Sequence, residues 1–215
     1  MAPSGLFVAF EGGDGAGKST QSALLGDWLS ARGHEVVLTR EPGGTRVGGA
    51  IREVLLHGDH VAPRAEALLF AADRAHHVQT VVRPALERGA VVLTDRFMDS
   101  SIAYQGAARG MAHDEIRALS LWATEGLVPH LTVLLDVGAA TGRARRGAVH
   151  DRLESEGDGF HERVRRGYLD LARGEQQRYL VLDGTLEQGA LHIQVLARVG
   201  EVRPELAAAG VRGAS

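Results

Sequence analysis

Residues 12–19 read Gly12-Gly13-Asp14-Gly15-Ala16-Gly17-Lys18-Ser19, and no other stretch constrains the fold of this chain as strongly. Glycines at this spacing let successive backbone N–H groups turn inward around a phosphate. The lysine ammonium then reaches the β and γ oxygens, and the following hydroxyl ligates Mg²⁺. A glycine-rich stretch can equally be a plain turn, and the flanking sequence separates the two. Here the apolar run Leu6-Phe7-Val8-Ala9-Phe10 leads into the loop, and a helical pattern starting at Thr20 leaves it. That is the strand, loop, helix order of a phosphate-binding loop. Lys18 is also the one lysine among 24 basic residues. Where bulk positive charge serves, the chain uses guanidinium; it keeps a compact ammonium on a flexible stem where phosphate chemistry calls for one. Gly12 through Thr20 are therefore the expected triphosphate cradle.

Short aliphatic runs recur along the 215 residues, separated by helical patterns, as in a parallel sheet built from βα units. Strands are expected near residues 6–11, 35–40, 90–95, 131–137 and 178–182. Helices are expected near 18–32, 46–57, 64–88, 112–126, 139–146, 160–173 and 186–199. The unbroken apolar character of Ala90-Val91-Val92-Leu93 and Leu131-Thr132-Val133-Leu134-Leu135 calls for cover on both faces. The fold class is α/β: a P-loop NTPase fold with a five-stranded parallel sheet, helices on both faces and a short lid. One domain is expected over residues 1–203, with 204–215 a frayed, Ala- and Gly-rich tail.

In open parallel sheets, ligands bind beyond the carboxyl ends of the strands. Residues just after the strands therefore converge on one cleft: the glycine loop, then Arg40-Glu41-Pro42-Gly43-Gly44, then Asp95-Arg96-Phe97. Asp95, ending an apolar strand, suits a carboxylate supporting Mg²⁺ beside Ser19, and suits a helix cap equally well. Arg96 beside it can hold a second phosphate bidentately, and a bound phosphate acceptor is what separates a kinase from an ATPase. Phe70 and Arg74 are four residues apart on a helical pattern. They read either as a core ring with a solvated cation, or as a ring stacked on a base whose carbonyl edge the guanidinium bonds.

Together, FEGGDGAGKSTQ (10–21), REPGGT (40–45), LLFAADRAHH (68–77), DRFMDSSIAYQG (95–106) and DRLESEG (151–157) resemble the bacterial thymidylate kinase family, in order and spacing, from about residue 6 to residue 173. The resemblance implies Mg²⁺-dependent transfer of the ATP γ-phosphoryl group to dTMP, giving dTDP, in a homodimer. It places Asp14 near the dTMP 3′-hydroxyl and the Mg²⁺ water shell, and Arg96 on the dTMP phosphate. Phe70 would stack on thymine and Arg74 bond its O4 edge. Ser101 and Gln105 would line the hydrogen-bonding side of the base, Tyr104 would crowd a ribose 2′-hydroxyl, and Pro42 would wall the pocket. Arg143 and Asp183, placed after strands four and five, are the expected adenine neighbours.

After the fourth strand comes Arg143-Ala144-Arg145-Arg146-Gly147, then Asp151-Arg152-Leu153-Glu154 and Gly157-Asp158-Gly159. A basic run is commonly a solvated face; flanked by glycines after a strand end, it also suits a lid over about residues 143–159 that brings an arginine to the γ-phosphate. Some thymidylate kinases carry that cation inside the P-loop. Gly15 and Ala16 occupy its place here, so the chain resembles the forms that supply it from the lid, with Arg152 and then Arg146 as candidates. The expected catalytic set is Lys18, Asp14, Arg96, Arg152 and Arg146.

A formal charge of −3 and a pI near 6.4 disfavour bulk nucleic-acid binding. The absence of cysteine excludes disulfides, thiolate catalysis and cysteine zinc sites. With no signal-peptide pattern and no long apolar run, no membrane partner and a cytoplasmic location are expected. A guanine-nucleotide switch needs an Asn-Lys-x-Asp motif, which a chain with its one lysine in the P-loop cannot contain. A motor or transporter ATPase would lack an acceptor pocket. The nearest rival is a kinase for another pyrimidine nucleoside monophosphate.

Overall fold

The computed structural model describes residues 5–145 and 151–208. Five strands, β1 (Leu6–Glu11), β2 (Val36–Arg40), β3 (Val91–Asp95), β4 (Leu131–Asp136) and β5 (Tyr179–Asp183), form one sheet in the order β2-β3-β1-β4-β5. All four pairings are parallel. Each strand lies within one residue of its expected bounds: the central β1, β3 and β4, buried on both faces, declare themselves by nearly continuous apolar runs, and the edge strands β2 and β5 keep a short aliphatic run although they are partly exposed. β1 is the extreme case, with all six residues buried. Its alternate side chains enter two cores: Phe7 and Ala9 join Val92 and Leu134 on one face, while Leu6, Val8 and Phe10 join Val91, Leu93 and Val133 on the other. Each large side chain so buried contributes on the order of 1.5–3 kcal/mol.

Helices cover both faces: α1 (Lys18–Ser30), α2 (Arg46–Arg52), α3 (Pro63–His77), α4 (Arg83–Glu87), α5 (Met98–Ser101), α6 (His113–Ala123), α7 (Ala139–Arg145), α8 (Asp158–Gly174), α9 (Gln188–Val202) and α10 (Pro204–Ala208). Three of them continue through π-helical turns, Glu53–His57 after α2, Val78–Val82 joining α3 to α4, and Ile102–Ala108 after α5. The helix begun by α5 has no counterpart in the sequence reading, and α10 lies where a frayed tail was expected. Arg203, just before α10, donates to the Gly5 carbonyl at 3.1 Å, which ties this end of the chain to the start of β1. Among the described residues, no helix is long and apolar enough to cross a membrane.

With β1 central and its neighbours β3 and β4 on either side, the chain crosses to opposite sides of β1, and the carboxyl end of β1 faces the crevice where such sheets bind ligands.

Candidate active site

A cleft of about 520 Å³ opens there. At one end lies the P-loop. Gly17 begins α1 with φ at 98°, a left-handed conformation that a side chain disfavours. Gly15 also has positive φ, 78°, and a Cβ on it would collide with the Gly142 carbonyl of α7. The missing P-loop cation at position 15 thus has a structural reason: α7 packs its backbone against the loop. Lys18 Nζ is buried and donates to the Gly12 and Gly13 carbonyls at 3.2 and 2.9 Å. Burial, with Arg96 nearby, lowers its affinity for the proton, and Asp95, Asp14 and Glu11 oppose that effect. The Ser19 hydroxyl donates to Asp95 Oδ2. Asp95 therefore meets the P-loop hydroxyl, as a metal-supporting carboxylate would, and does not cap α5. A hydroxyl beside a carboxylate oxygen is a hard-donor pair suited to Mg²⁺, which takes its remaining ligands from phosphate and water. Among the described residues, no group of three or more acidic, His or Cys side chains gathers to hold a metal by itself.

The middle of the cleft is built around Arg96, which has φ at 69°, uncommon for a residue with a side chain. Its backbone N–H bonds the Phe10 carbonyl at 2.9 Å and its own carbonyl accepts from Thr94 Oγ1 at 2.8 Å. The guanidinium then forks. One nitrogen donates to Asp14 Oδ1 and to Tyr104 Oη at 3.0 Å, the other to Ser100 Oγ at 3.2 Å and Tyr168 Oη at 3.1 Å. Tyr104 Oη also donates to Asp14 Oδ2 at 3.1 Å. Burial alone would raise the Asp14 carboxyl, but Arg96 and Lys18, with the hydrogen bonds from Arg96 and Tyr104, hold it well below the usual carboxylate range. Behind this fork lies Glu11, fully buried at the end of β1. Oε1 accepts from the Phe97 and Ser100 N–H groups at 2.8 and 3.2 Å, and Oε2 from Ser100 Oγ and Tyr168 Oη at 2.6 and 2.8 Å. Two hydroxyls that contact Arg96 are thus pinned by one carboxylate. Burial, with Asp99 adding to it, pushes that carboxyl up to about 7, against the opposing pull of Arg96, Ser100 and Phe97.

At the far end Phe70, half-buried, lines the cleft with Pro42, Arg74, Ser101 and Gln105. Arg74 is no solvated cation; it is 1% exposed. Nε bonds Glu41 Oε2 at 2.8 Å, and the terminal nitrogens bond Ser101, Ser120 and the Phe97 carbonyl at 3.1–3.3 Å. Glu41 in turn meets His77 Nδ1 at 2.8 Å, and His77 Nε2 meets Thr39 Oγ1 at 2.7 Å. Gln105 Nε2 donates to Glu66 at 3.0 Å. Tyr104 and Gln105 both lie in the π-helical turn after α5, a kind of turn frequent at functional sites. Arg52 also lines the cleft, donating to the Pro42 carbonyl at 2.9 Å.

Part of the segment 151–157 walls one side of the cleft. Asp151 Oδ1 accepts from its own turn, at the Leu153 and Glu154 N–H groups, and Leu153 is buried in the core. Asp151, Leu153 and Glu154 line the cleft, whereas Arg152 turns away from it. Its Nε bonds the Leu55 carbonyl at 2.9 Å and its guanidinium pairs with Glu66 at 2.5 Å. The structure therefore holds Arg152 against Leu55 and Glu66 and not at the P-loop, because a buried carboxylate competes for it there. Arg146 lies outside the described residues. On the other side of the P-loop, Arg145 donates to the Gly184 carbonyl at 2.7 Å, and a Cβ on Gly184 would lie 3.5 Å from the Ala16 carbonyl. The turn after β5 thus abuts the loop, with Asp183 Oδ1 accepting from Thr185 N and Oγ1. Arg143 pairs with Asp158 at the start of α8.

Sequence reasoning brought Glu41 to the cleft without a role and missed Glu11, Glu66, His77, Ser100 and Tyr168. Glu11 had a usable signal, a carboxylate closing an otherwise apolar strand. Tyr168 had none, since it meets Glu11 across 157 residues.

A thymidylate kinase family model matches residues 10–195. The thymidylate kinase of Clavibacter sepedonicus is 60% identical over 199 residues, covering 91% of this chain and 94% of the relative. That of Deinococcus radiodurans is 51% identical over 200 residues, covering 92% and 97%. The crystal structure of thymidylate kinase from Ehrlichia chaffeensis superposes with a TM-score of 0.75 at 33% identity, covering 90% of this chain and 97% of that one. A phosphate cradle and an arginine fork share one cleft here, on a sheet and a sequence that match these proteins over nearly their whole length, and the chain belongs to the thymidylate kinase family.

Proposed function

We propose that the protein transfers the γ-phosphoryl group of ATP to dTMP, giving ADP and dTDP. The observation that carries this reading is the pairing, within one cleft, of the Lys18 loop with the Arg96 fork on Asp14, Tyr104, Ser100 and Tyr168. The loop suits a triphosphate and the fork a second phosphate, and a nucleotide hydrolase has no use for the fork. The attacking group is a phosphate oxygen that is already anionic, so no strong base is required. Catalysis reduces to alignment and charge neutralisation. In this reading Lys18 holds the transferring phosphoryl oxygens, Arg96 orients the acceptor phosphate, and Asp14 fixes Arg96 while facing the sugar. Ser19 and Asp95 hold Mg²⁺, which when bound neutralises triphosphate charge.

Phe70 stacks on thymine, Pro42 walls the ring, and Ser101 and Gln105 face its polar edge. Tyr104 Oη, tied to Asp14 and Arg96, keeps the phenol ring fixed where it crowds a 2′-hydroxyl. Arg74, held by Glu41 and Ser101, presents a rigid cationic wall to the O4 edge. Arg143 and Asp183 flank the adenine side. Arg152 anchors the segment 151–157 on the acceptor wall through Glu66, and the γ-phosphate cation then comes from the rest of the basic run, Arg146 included.

The molecule pairs with a second copy in this reading. Val47, Val54, Leu68 and Trp122, 47%, 49%, 59% and 78% exposed, crowd apolar surface onto α2 with its π turn, α3 and α6, which pack side by side. A coupled ADP-release screen over the common nucleoside monophosphates tests the activity. Turnover with dTMP above all others is expected, and faster turnover with CMP or GMP, or release of free phosphate without dTDP, would overturn it.

A further inference from the structure

Glu66 is 0% exposed, and among the described residues the hydrogen-bond partners of its carboxylate all donate to it. Arg152 meets Oε2 at 2.5 Å, Arg109 Nε meets Oε1 at 3.4 Å, and Gln105 Nε2 meets the same Oε1 at 3.0 Å. The two guanidiniums neutralise the buried charge. The amide needs a different explanation, because Arg109 and Arg152 already compensate the carboxylate.

A glutamine amide has nearly the same shape in either orientation, so its partners decide which end is nitrogen. A carboxylate between two arginines only accepts. Turning the Gln105 amide over would set Oε1 against a carboxylate oxygen in a side chain only 1% exposed, leaving two buried acceptors facing each other. The nitrogen must therefore face Glu66, and the carbonyl oxygen is the end left for the cleft that Gln105 lines with Phe70 and Ser101.

We propose that Glu66 is a specificity-determining positioning residue: by holding the Gln105 amide in one direction it presents an acceptor to the base, and so selects rings that carry an N3–H donor. Thymine and uracil carry that donor. Cytosine has a bare, accepting N3 and meets oxygen with a lone pair. Arg74, facing the O4 edge, adds to this choice, but its direction is set by Glu41, Ser101, Ser120 and the Phe97 carbonyl and not by Glu66. Because Arg152 comes from the segment 151–157, the anchor is complete only when that segment is docked. The inference rests on the reading of Gln105 as base-facing.

The test compares kcat/KM for dTMP and dCMP in the wild-type enzyme, Glu66→Gln, Glu66→Asp and Arg109→Met. Glu66→Gln replaces an acceptor-only group by one that also donates, so Gln105 is free to turn, and the dTMP to dCMP ratio should fall by about tenfold or more. Glu66→Asp keeps an acceptor-only group and should restore most of the ratio. Arg109→Met removes a neighbour of the same carboxylate without freeing the amide, and should keep the ratio within about twofold of wild type. An unchanged ratio in folded Glu66→Gln, or an equal fall in Arg109→Met, overturns the proposal. If Glu66→Gln does not fold, calorimetric binding to the wild type decides: N3-methyl dTMP should bind at least about tenfold more weakly than dTMP, and equal binding refutes the acceptor. A wild-type enzyme inactive on dTMP would sink the proposed function instead, an outcome distinct from a variant that leaves the ratio intact.

Discussion

Replacing Glu11 by Gln tests whether the buried carboxylate behind Arg96 is strained by its surroundings. Burial and Asp99 raise this group from an ordinary 4.5 to about 7. The native protein therefore keeps a proton there that the unfolded chain has already lost. At about 1.4 kcal/mol per pH unit this amounts to about 3 kcal/mol. The sign follows from linkage: the raised group contributes stability that is fully present below about 4.5, declines above it, and is gone once the pH has risen through about 7. Gln does not titrate and fits the site. Its oxygen can accept from the Phe97 and Ser100 N–H groups, and its nitrogen can donate to Ser100 Oγ and Tyr168 Oη, hydroxyls that can turn to accept. Urea denaturation of both proteins at several pH values between about 5 and about 8.5 should show the variant gaining about 2–3 kcal/mol relative to wild type across that window. Asp73, raised to about 6 chiefly by burial and then by Glu41, is common to both proteins and cancels in the difference. A difference flat to within about 0.5 kcal/mol would refute the reasoning and show that the four hydrogen bonds fully offset desolvation.

Lys18→Ala should lower kcat by roughly 10²-fold or more with unchanged circular dichroism, since it deletes a preorganised charge at the transferring group; near-normal turnover would remove the P-loop from the chemistry. Arg152→Ala should raise the KM for dTMP by about tenfold, because it releases the segment 151–157 from Glu66 and Leu55. A fall in kcat with unchanged KM would instead return Arg152 to the γ-phosphate. Trp122→Glu, at a site 78% exposed, should leave a monomer in sedimentation velocity where the wild type runs as a dimer; a variant that still sediments as a dimer would place the interface elsewhere.

What could be read from the chain was whatever depends on neighbours in sequence. The central strands are apolar at nearly consecutive positions because both of their faces are covered. The phosphate loop is legible because its glycines, lysine and hydroxyl must follow a strand and open a helix within a few residues. Arg96 in the cleft followed from its place after a strand end, whereas the helical spacing of Phe70 and Arg74 left two readings open and the fold set Phe70 in the cleft wall. The helix begun by α5 was not legible. It has no side-chain cap of its own, and the carboxylate that meets its first N–H groups is Glu11, 86 residues away on β1. Nor could sequence say that Arg74 is buried on Glu41 or that Arg152 pairs with Glu66, 86 residues distant.

The chain by itself determined which chemistry the cleft can perform, because phosphate and metal recognition use short contiguous motifs. Only the tertiary structure decided which way each group points. A buried carboxylate takes its donors from whatever elements the sheet brings together, and in this protein Glu11, Glu41 and Glu66 each bind partners that no local pattern announces.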